Sequence, residues 1–548
     1  MNNFQLMRQF FFIFLLFFLF SACYHNDSKN NNLKVFRYNE SAGITSLDPA
    51  FTKDQSNIWV CNQLFNGLVQ LDEQLSIKPC IASKWEISDN GNTYTFKLRK
   101  DVFFQKNIVF KDSCRKVVAN DFVYSFNRIL DEKIASPGAW IFNYVKKENN
   151  KYSFKALNDS ILQIKLTHPF PPFLGLLAMQ YCSVVPFEAI DFYGKDFRKN
   201  PVGTGPFQLK IWKEGVKLVL VKNENYFEYD GTHQLPYLDA VAITFIIDKQ
   251  SVFLEFIKGN IDFMSGIDAS YKDELLTVNG QLNPKYKNKF QLISQPYLNT
   301  EYLAFLMDTT KIENKNNPLK YKAVRQAINY GFDRVKMMRY LRNNIGTPAL
   351  YGIIPKGLPG FDSIKVKGYD YQPDKSRKLL TEAGFPNGEG LSEITLSTTA
   401  SYLDLCKYIQ NQLTEIGLKI KIDVNPPATL REMIAKSKIP FFRASWIADY
   451  PDAENYLSLF YSPNFCPVGP NYTHLRNKDF DLLYIKAQNE INDSIRYSLY
   501  NKMDQIVMNE AAVVVLYYDQ VLRFVQNNIQ GLGSNPMNLL TLKRVKKN

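Results

Sequence analysis

The chain has 548 residues and is 45% hydrophobic, so it can bury a large core and is long enough for several domains or one large interleaved body. Its formal net charge is +13, but the basic residues are scattered along the sequence. The densest basic run lies at the C-terminus and consists of Lys543, Arg544, Lys546 and Lys547. Because this pattern predicts no basic stripe or patch, we expect no nucleic-acid partner.

The first 22 residues have the pattern of an export signal. Arg8 supplies a positive charge, and residues 10–20 form an uninterrupted apolar run. This run is too short to span a bilayer as a helix. We therefore predict that residues 1–22 are a signal peptide and not a transmembrane anchor.

A short motif follows the apolar run and consists of Ser21, Ala22 and Cys23. Small residues directly before a cysteine resemble the lipobox of bacterial lipoproteins, although Phe20 stands where leucine is usual. The resemblance implies a lipid on Cys23 and a protein held at the membrane, facing the periplasm or the cell exterior. The polar, Asn-rich residues 23–32 would then be a tether. An ordinary signal peptide with an unrelated cysteine is the alternative.

The remaining cysteines are even in number if Cys23 carries a lipid, as a disulfide-bonded exported protein would require. They are Cys61, Cys80, Cys114, Cys182, Cys406 and Cys466. No two of them form a CxxC pair, and most have apolar neighbours in sequence. Buried free thiols and disulfides are therefore both compatible with the sequence.

The predicted elements of the first third alternate without an internal repeat. Residues 33–39 are predicted to form a strand, and the apolar spacing of residues 58–68 predicts a helix. The turn dipeptide Asn90-Gly91 precedes alternating apolar residues, which is typical of a β-hairpin. Residues 119–129 are predicted to form the next helix.

The second third begins with a segment rich in glycine and proline, residues 200–207, which we expect to cross irregularly between elements. It is not expected to bind phosphate, because neither a Lys-Ser/Thr pair nor a helix follows it. Residues 207–221 alternate as a strand. The apolar pattern of residues 251–259 predicts a helix that leads into another strand.

The last third repeats a helix, a glycine and a strand. Residues 321–333 are predicted to form a helix, and a second helix begins at Pro373 and ends at Gly384. A third helix ends at Gly417, and residues 418–424 then alternate as a strand. This alternation indicates an α/β fold built in layers.

One loop, residues 446–460 with the sequence WIADYPDAENYLSLF, combines acids with aromatic residues. Asp449 and Asp452 lie three residues apart, and Pro451 prevents a regular helix between them. Carboxylates held on a loop beside aromatic side chains suit a cationic group. A surface turn with solvated acids is the alternative.

A series of short motifs runs through the chain. In order they are SLDPA, NQLFNGLV, ASKW with NGNTYTFKLRKDVFF, ANDFVYSFNRI, NPVGTGPFQL with NENYF, VRQAINYGFDR, AGFPNG and ADYPDAENYL. Their order and approximate spacing resemble those of the extracytoplasmic solute-binding proteins of peptide-type ABC importers. The chain is most similar to the oligopeptide- and dipeptide-binding lipoproteins, over nearly everything after the tether.

This resemblance implies an α/β, periplasmic-binding-protein-like fold of two lobes hinged around a cleft, with interleaved segments and a small extra domain. Residues 33–71, 202–295 and 512–548 would form lobe I. Residues 73–200 would form the inserted small domain, and residues 297–510 would form lobe II.

The resemblance also implies that the cleft captures peptides and that the protein, a monomer without a cofactor, delivers them to the permease of an ABC importer. The backbone of such a peptide is gripped much as an added β-strand. The terminal ammonium would meet the acid of the ADYPD loop, which is Asp449 in this chain. Trp446 and Tyr450 would line that pocket, and Asp452 would stabilise the loop.

One position departs from the family pattern. Relatives often carry a phenylalanine-asparagine pair after the hinge strand, whereas this chain has Phe305 and Leu306. One polar contact to the ligand is therefore expected to be absent or supplied from elsewhere.

An enzyme is not expected. The histidines are few, and none lies in an HExxH motif or near a GxSxG motif. They are His25, His168, His233 and His474. Residues 113–116 match SxxK, but so short a match arises by chance in a chain of this composition.

No metal site is expected either, because the histidines are far apart and no cysteines are paired in sequence. Some members of the resembled family nevertheless bind nickel complexes, haem or sugars. The same fold with such a small solute is therefore the alternative to peptide binding.

Overall fold

The structure, a computed structural model, describes residues 33–268, 270–311 and 317–548. The predicted signal peptide, the predicted tether and Cys23 lie outside these ranges. Within the described ranges, no helix has both the length and the apolar character that crossing a membrane requires.

One large mixed sheet runs through the molecule, with two long strands at its centre. Its strands in spatial order are Phe207–Lys213, Lys217–Lys222, Ala240–Thr244, Val35–Asn39, Phe263–Ser265, Val513–Gln526, Phe290–Phe305, Phe441–Ile447, Ile394–Thr398 and Ile420–Val424, and Thr347–Pro348 also pairs with Val513–Gln526. Residues 523–525 pair with Phe263–Ser265, whereas residues 299–305 pair with Phe441–Ile447. The two long strands therefore join the two halves of the sheet.

The pairing of these two long strands is irregular near its middle. The register shifts between Pro296 and Thr300. Irregularities of this kind bend a strand and increase its local twist. Because Asn299 pairs with Ile447, the bend lies beside the end of the strand that leads into the ADYPD loop.

A second sheet, with four antiparallel strands, packs against the first half of the large sheet. Its strands in order are Ala82–Ser88, Thr93–Leu98, Ile161–Lys165 and Phe154–Asn158. The predicted hairpin is confirmed, because Asn90 and Gly91 connect the first two strands with positive φ angles of 53° and 94°. Smaller two-stranded sheets pair Val69–Leu71 with Ile77–Pro79, Lys147–Glu148 with Lys151–Tyr152, Tyr229–Asp230 with His233–Gln234, and Ile529–Gln530 with Lys546–Lys547.

The α-helices pack against the sheets and against one another, and Ala119–Ile129 packs against the four-stranded sheet. They are Gln55–Leu64, Ala119–Ile129, Phe173–Leu177, Phe187–Tyr193, Lys249–Ile257, Lys272–Leu275, Lys322–Tyr330, Arg334–Arg342, Pro373–Glu382, Leu403–Thr414, Pro427–Ala435, Glu454–Leu457, Lys478–Gln488 and Asp493–Asn509. The helices predicted from residue 119, from Pro373 and over residues 251–259 are confirmed within a few residues.

The buried side chains form separate cores on the two sides of the central strands. One core contains Phe36, Leu64 and Leu220 together with Phe96 of the four-stranded sheet. Two others contain residues between 298 and 518, such as Tyr456. The fold is therefore α/β with two lobes, as predicted. The residue limits given above for the lobes and the inserted domain stay a prediction.

The first helix ends earlier than predicted. It stops at Leu64 rather than continuing to residue 68, because the Leu64 carbonyl accepts a hydrogen bond from the backbone N–H of Gly205 at 2.9 Å. A Cβ atom on Gly203 would lie 2.1 Å from the same carbonyl oxygen. The glycines of the crossing segment 200–207 therefore allow two backbones to touch.

Two other predictions need correction. The stretch predicted as one helix over residues 321–333 ends at Tyr330, and Asp333 starts the next helix by accepting the backbone N–H of Lys336. The strand predicted over residues 207–221 is a hairpin that turns at Gly215, where φ is 67°.

The cysteines of the described residues are free thiols. Five of the six are buried, and Cys114 is half-buried. The alternative of disulfide bonds, which the sequence left open, is not realised in this fold.

Candidate ligand-binding site

The ADYPD loop lies at the edge of a cavity. The loop follows the strand Phe441–Ile447 and leads into the short helix Glu454–Leu457. Asp449 lines a cavity of 390 Å³ at this point. Its other walls come from distant parts of the chain and include Gln55, Trp140, Tyr181, Tyr297 and Met537. The cavity therefore lies where segments assigned to both predicted lobes and to the predicted inserted domain meet.

The chemistry of the cavity wall is mixed. Trp140, Tyr181 and Tyr297 supply aromatic surface, and most of the other lining residues are apolar. Two lining residues carry a charge, Asp449 and Lys53, and both are exposed. No ion pair between Lys53 and another described residue is formed. A ligand with one positive and one negative end suits such a wall.

Asn455 holds the Asp449 end of the loop. Its side-chain oxygen accepts hydrogen bonds from the Trp446 indole N–H at 2.8 Å and from the Asp449 backbone N–H at 3.2 Å. Its amide nitrogen donates to the Asp449 carboxylate at 3.4 Å. Asn455 is 4% exposed, so these bonds are shielded from water. Sequence analysis did not predict this residue, because the burial of an asparagine six residues after Asp449 is visible only in the folded structure.

The Asp449 carboxylate is exposed to the cavity yet crowded by its walls. The crowding raises the pKa of Asp449 above its ordinary value, and the hydrogen bond from Asn455 opposes that shift. Within the described residues, no Lys, Arg or His forms an ion pair with Asp449. A cationic group entering the cavity would therefore meet a carboxylate that has no other counter-ion.

Tyr450 points away from the cavity, into the protein. It is 5% exposed, its ring centroid lies 6.1 Å from that of Trp140, and its hydroxyl donates to Glu454. Tyr484 donates to the second oxygen of the same carboxyl group. Burial raises the pKa of Glu454 to about 7, and these two hydroxyls oppose the shift.

Neither aromatic residue predicted for the pocket lines the cavity in this geometry. Trp446 is half-buried and bonded to Asn455, and Tyr450 is buried against Trp140. The aromatic wall comes instead from residues remote in sequence. Of the three residues predicted to contact the ligand, the structure brings Asp449 to the cavity.

Asp452 is part of the internal structure of the loop. Its Oδ1 accepts the Tyr500 hydroxyl at 2.8 Å and the Glu454 backbone N–H at 2.9 Å. Its Oδ2 lies 3.7 Å from an Arg496 nitrogen. These contacts agree with the stabilising role expected of this acid.

The position that departs from the family pattern lies in the core. Phe305 stacks on Phe441 with ring centroids 4.7 Å apart, and Leu306 is 2% exposed. Neither residue lines the cavity. The polar contact that the family pattern suggests is therefore not supplied at this position.

A buried charge pair lies on the same strands as the cavity wall. Glu301 accepts a hydrogen bond from Arg443, whose guanidinium carbon lies 3.3 Å from the ring centroid of Tyr402. Burial raises the pKa of Glu301, and the positive charge of Arg443 opposes that shift. The sequence did not predict this pair, because Glu301 and Arg443 are 142 residues apart in the chain.

A larger cavity of 690 Å³ lies beside the first one. The two share the lining residues Leu71, Ala178, Met179, Gln180 and Leu539. The larger cavity contains none of the predicted site residues, and its charged groups are largely paired, such as Lys543 with Glu228. We therefore regard the cavity at Asp449 as the candidate site.

In the part of the chain that the structure describes, no three His, Cys, Asp or Glu side chains come together in a way that could hold a metal ion.

The chain is similar over most of its length to proteins of known class. It is 26% identical over 504 residues to the glutathione-binding protein GsiB of Escherichia coli K12, covering 90% of this chain and 91% of that protein. It is 24% identical over 544 residues to the dipeptide-binding protein DppE of Bacillus subtilis, covering 96% and 94%.

A solved structure has the same fold. The periplasmic binding protein DppA of Helicobacter pylori, in complex with the peptide STSA, superimposes with a TM-score of 0.71 at 25% identity, covering 93% of this chain and 98% of that one. The model of the bacterial extracellular solute-binding proteins, family 5 Middle, matches residues 76–465. The chain therefore belongs to the family 5 bacterial extracellular solute-binding proteins.

Proposed function

We propose that the protein captures short peptides in the cavity beside Asp449 and delivers them to an ABC importer. The observation that best supports this proposal is the Asp449 carboxylate. It is exposed in a cavity with aromatic walls and has no ion-pair partner among the described residues. The Bacillus subtilis relative is named a dipeptide-binding protein, and the Helicobacter pylori structure holds a peptide. Both support a peptide as ligand.

The peptide's terminal ammonium would pair with Asp449. An ammonium group loses water when it is buried, and this cost is tolerable only beside a fixed partner of opposite charge. Asn455 already holds the Asp449 backbone and carboxylate in place. Trp446 and Tyr450 would contribute by supporting the loop, through Asn455 and Trp140 respectively.

The peptide's terminal carboxylate would approach Lys53. This lysine is the other charged residue of the lining and comes from the segment before the helix Gln55–Leu64. A cavity of 390 Å³ is at the small end of the range for ligand sites. The volume and the two opposite charges together favour a short zwitterionic peptide.

Ligand binding would close the lobes over the cavity. The predicted lobe I is represented in the lining by Gln55 and Met537, the predicted inserted domain by Trp140, and the predicted lobe II by Asp449. A ligand touching all of them gains contacts only when they approach one another. The bent region of the long strands near Thr300 would be the hinge.

The protein would work outside the cytoplasm as a monomer held at the membrane by a lipid on Cys23. The family is one of extracellular solute-binding proteins. Two acyl chains on one residue would supply enough apolar surface for stable anchoring. As a solute-binding protein it would bind its ligand without chemical change.

A nickel complex, haem or another small solute is less well supported. No lining residue of the cavity is a histidine or a cysteine, the side chains that bind such metals most readily.

Mass spectrometry of the small molecules that co-purify with the native protein tests the proposal. Peptides of mixed sequence and limited length are expected. A single organic or metal-containing species would overturn the proposal.

A further inference from the structure

A compact polar cluster lies on the lobe that carries residues 298–518, at the end of the strands remote from Ile447. The Cys466 sulfur lies 3.3 Å from Nε2 of His474 and 3.1 Å from the Ser437 hydroxyl oxygen. That hydroxyl oxygen also lies 3.1 Å from the same ring nitrogen. On the other side of the imidazole, Nδ1 of His474 lies 3.5 Å from Oδ2 of Asp308. A thiol, an imidazole and a carboxylate thus follow one another in a line of contacts.

Two residues of this cluster have an uncommon backbone conformation. Ser437 and His474 have φ angles of 55° and 51°, in the left-handed region, which is rare for serine and less rare for histidine. Such conformations persist only where the surroundings enforce them, and they concentrate at functional positions. Here a stacked contact with Phe465, with ring centroids 4.6 Å apart, helps to hold the imidazole in position.

The cluster lies just beneath the surface. Cys466 is 5% exposed and His474 is 6% exposed, while Val468, two residues after Cys466, is 91% exposed. The Asp308 carboxylate, which is partly exposed, also accepts hydrogen bonds from the hydroxyl and the backbone N–H of Thr310. With so little of Cys466 exposed, the reagent that reaches its sulfur must be small.

Among the described cysteines, Cys466 is distinguished by its histidine. The sulfurs of Cys61, Cys182 and Cys466 all lie within hydrogen-bond distance of a backbone carbonyl, that of Leu47, Leu176 and Ile434 respectively. Of these three, Cys466 alone also has a histidine within that distance. A thiol reacts as its thiolate, so a neighbouring base that accepts the proton decides which cysteine is reactive. The arrangement of nucleophile, base and orienting third group is the one that activates cysteine in proteins.

We propose that Cys466 is a modification site at which small hydroperoxides oxidise the thiol to a sulfenic acid. The Cys466 thiol transfers its proton to Nε2 of His474, and the thiolate sulfur attacks the nearer peroxide oxygen. A sulfur–oxygen bond forms, the oxygen–oxygen bond breaks, and the leaving hydroxide takes the proton from His474. With hydrogen peroxide the products are a sulfenic acid and one water molecule, so sulfur is oxidised and the peroxide is reduced.

The neighbouring groups have distinct roles in this step. Asp308 is proposed as a positioning residue, because its carboxylate faces Nδ1 of the imidazole at 3.5 Å. Ser437 can donate a hydrogen bond to the developing thiolate. The other charged or titratable groups near the cluster are Arg476, which lies over the Phe465 ring, and Tyr472.

The test uses the full chain, hydrogen peroxide in stoichiometric amount, a reagent that traps sulfenic acids, and peptide mass spectrometry to follow each cysteine with time. We expect Cys466 to react about tenfold faster or more than the buried Cys406. His474→Asn should reduce that rate at least about fivefold, and asparagine tolerates the left-handed backbone at this position. Cys114→Ser, which removes the half-buried thiol, should leave the rate at Cys466 unchanged.

Comparison with Cys114 separates this mechanism from simple accessibility. Cys114 is half-buried, whereas Cys466 is buried, so Cys466 should react at least as fast as Cys114 only if its neighbours activate the thiol. If Cys466 reacts no faster than Cys406, or a folded His474→Asn variant reacts as fast as the unchanged protein, the proposal is wrong. If His474→Asn does not fold, the rates at Cys466, Cys406 and Cys114 in the unchanged protein still test the proposal: a Cys466 that reacts more slowly than both would overturn it.

Discussion

Asn455 holds Asp449 at two points, accepting the backbone N–H of Asp449 at 3.2 Å and donating to its carboxylate at 3.4 Å. The same side chain accepts the indole N–H of Trp446, so one buried amide connects the strand, the loop and the acid. An acid positioned before the ligand arrives loses little conformational freedom on binding. The Asp449 carboxylate proposed to meet the peptide ammonium is therefore already ordered without ligand.

Replacing Asn455 by alanine should weaken both the fold and ligand binding. The change leaves the Trp446 indole N–H and the Asp449 N–H without their partner, which costs about 1–3 kcal/mol. We expect a lower free energy of unfolding in denaturant titrations and a several-fold weaker peptide affinity. Asn411→Ala, at an exposed position of the helix Leu403–Thr414, is the control and should change neither quantity appreciably. Equal effects from the two variants would contradict the conclusion that the Asn455 side chain stabilises the loop and positions Asp449.

Replacing Asp449 by asparagine should weaken peptides with a free N-terminus. The ammonium would be buried without a counter-ion, a loss on the order of 2–5 kcal/mol, or about thirtyfold or more in affinity. N-acetylated peptides should bind poorly to both proteins and be nearly indifferent to the change. Calorimetry with both kinds of peptide measures the difference.

The matched control for that experiment is Asp54→Asn. Like Asp449, this acid contributes to raising the pKa of Tyr181 in the cavity wall, but it does not line the cavity. We expect little effect on either kind of peptide. Equal losses for free and acetylated peptides with Asp449→Asn would mean that another group meets the ammonium.

Replacing Lys53 by glutamine should weaken peptides with a free C-terminal carboxylate. Because the lysine is exposed and its charge is partly screened by water, the loss should be modest, about three- to tenfold. Peptides with an amidated C-terminus should bind the two proteins alike. Lys133→Gln, an exposed lysine outside the cavity, is the control in the same calorimetric series. An equally large loss of affinity for amidated peptides in Lys53→Gln would mean that the peptide's terminal carboxylate does not approach Lys53.

Glu454 should make the stability depend on pH. Its pKa is raised to about 7, so between its ordinary value and about pH 7 the folded state binds more protons than the unfolded state. The free energy of unfolding should therefore fall as the pH rises through this window, by about 3 kcal/mol from this one group. Asp504, whose pKa burial also raises to about 7, adds to the same slope.

The variant Glu454→Gln should remove the contribution of Glu454 to the fall in the free energy of unfolding with rising pH. Glutamine keeps an acceptor and a donor for the hydroxyls of Tyr450 and Tyr484 without a charge to bury. Denaturant titrations at about pH 5 and about pH 8 measure the slope. Glu382→Gln, at an exposed position, should retain the full slope. An unchanged slope in Glu454→Gln would show that this carboxyl group does not titrate in the window.

Replacing Cys23 by alanine should release the protein from the membrane. Without the thiol no lipid can be attached, and the polar residues that follow have no apolar surface to hold them at a bilayer. Cell fractionation should find the variant in the soluble or unprocessed pool. Ser21→Ala, which keeps a small residue in the motif, should stay in the membrane fraction. A membrane fraction unchanged in Cys23→Ala would rule out this anchor.

The sequence by itself determined the local elements and the presence of the acid-rich loop. The Asn90-Gly91 hairpin, the helix Ala119–Ile129 and the helix starting at Pro373 follow from turn dipeptides, apolar spacing and terminal residues, which act over a few positions. The predictions that failed also concern local elements. The first helix stops at Leu64 because of a glycine segment far away in the chain, which no local pattern reveals.

Only the tertiary structure decided which side chains meet. The cavity wall brings Trp140, Tyr297 and Met537 to Asp449, from which they are 309, 152 and 88 residues apart in sequence. The Tyr450 side chain turns toward Glu454 instead. The register of the central strands and the packing of the lobes bring these groups together. That register depends on the burial of whole faces of the sheet, so spacing within any single segment of sequence cannot specify it.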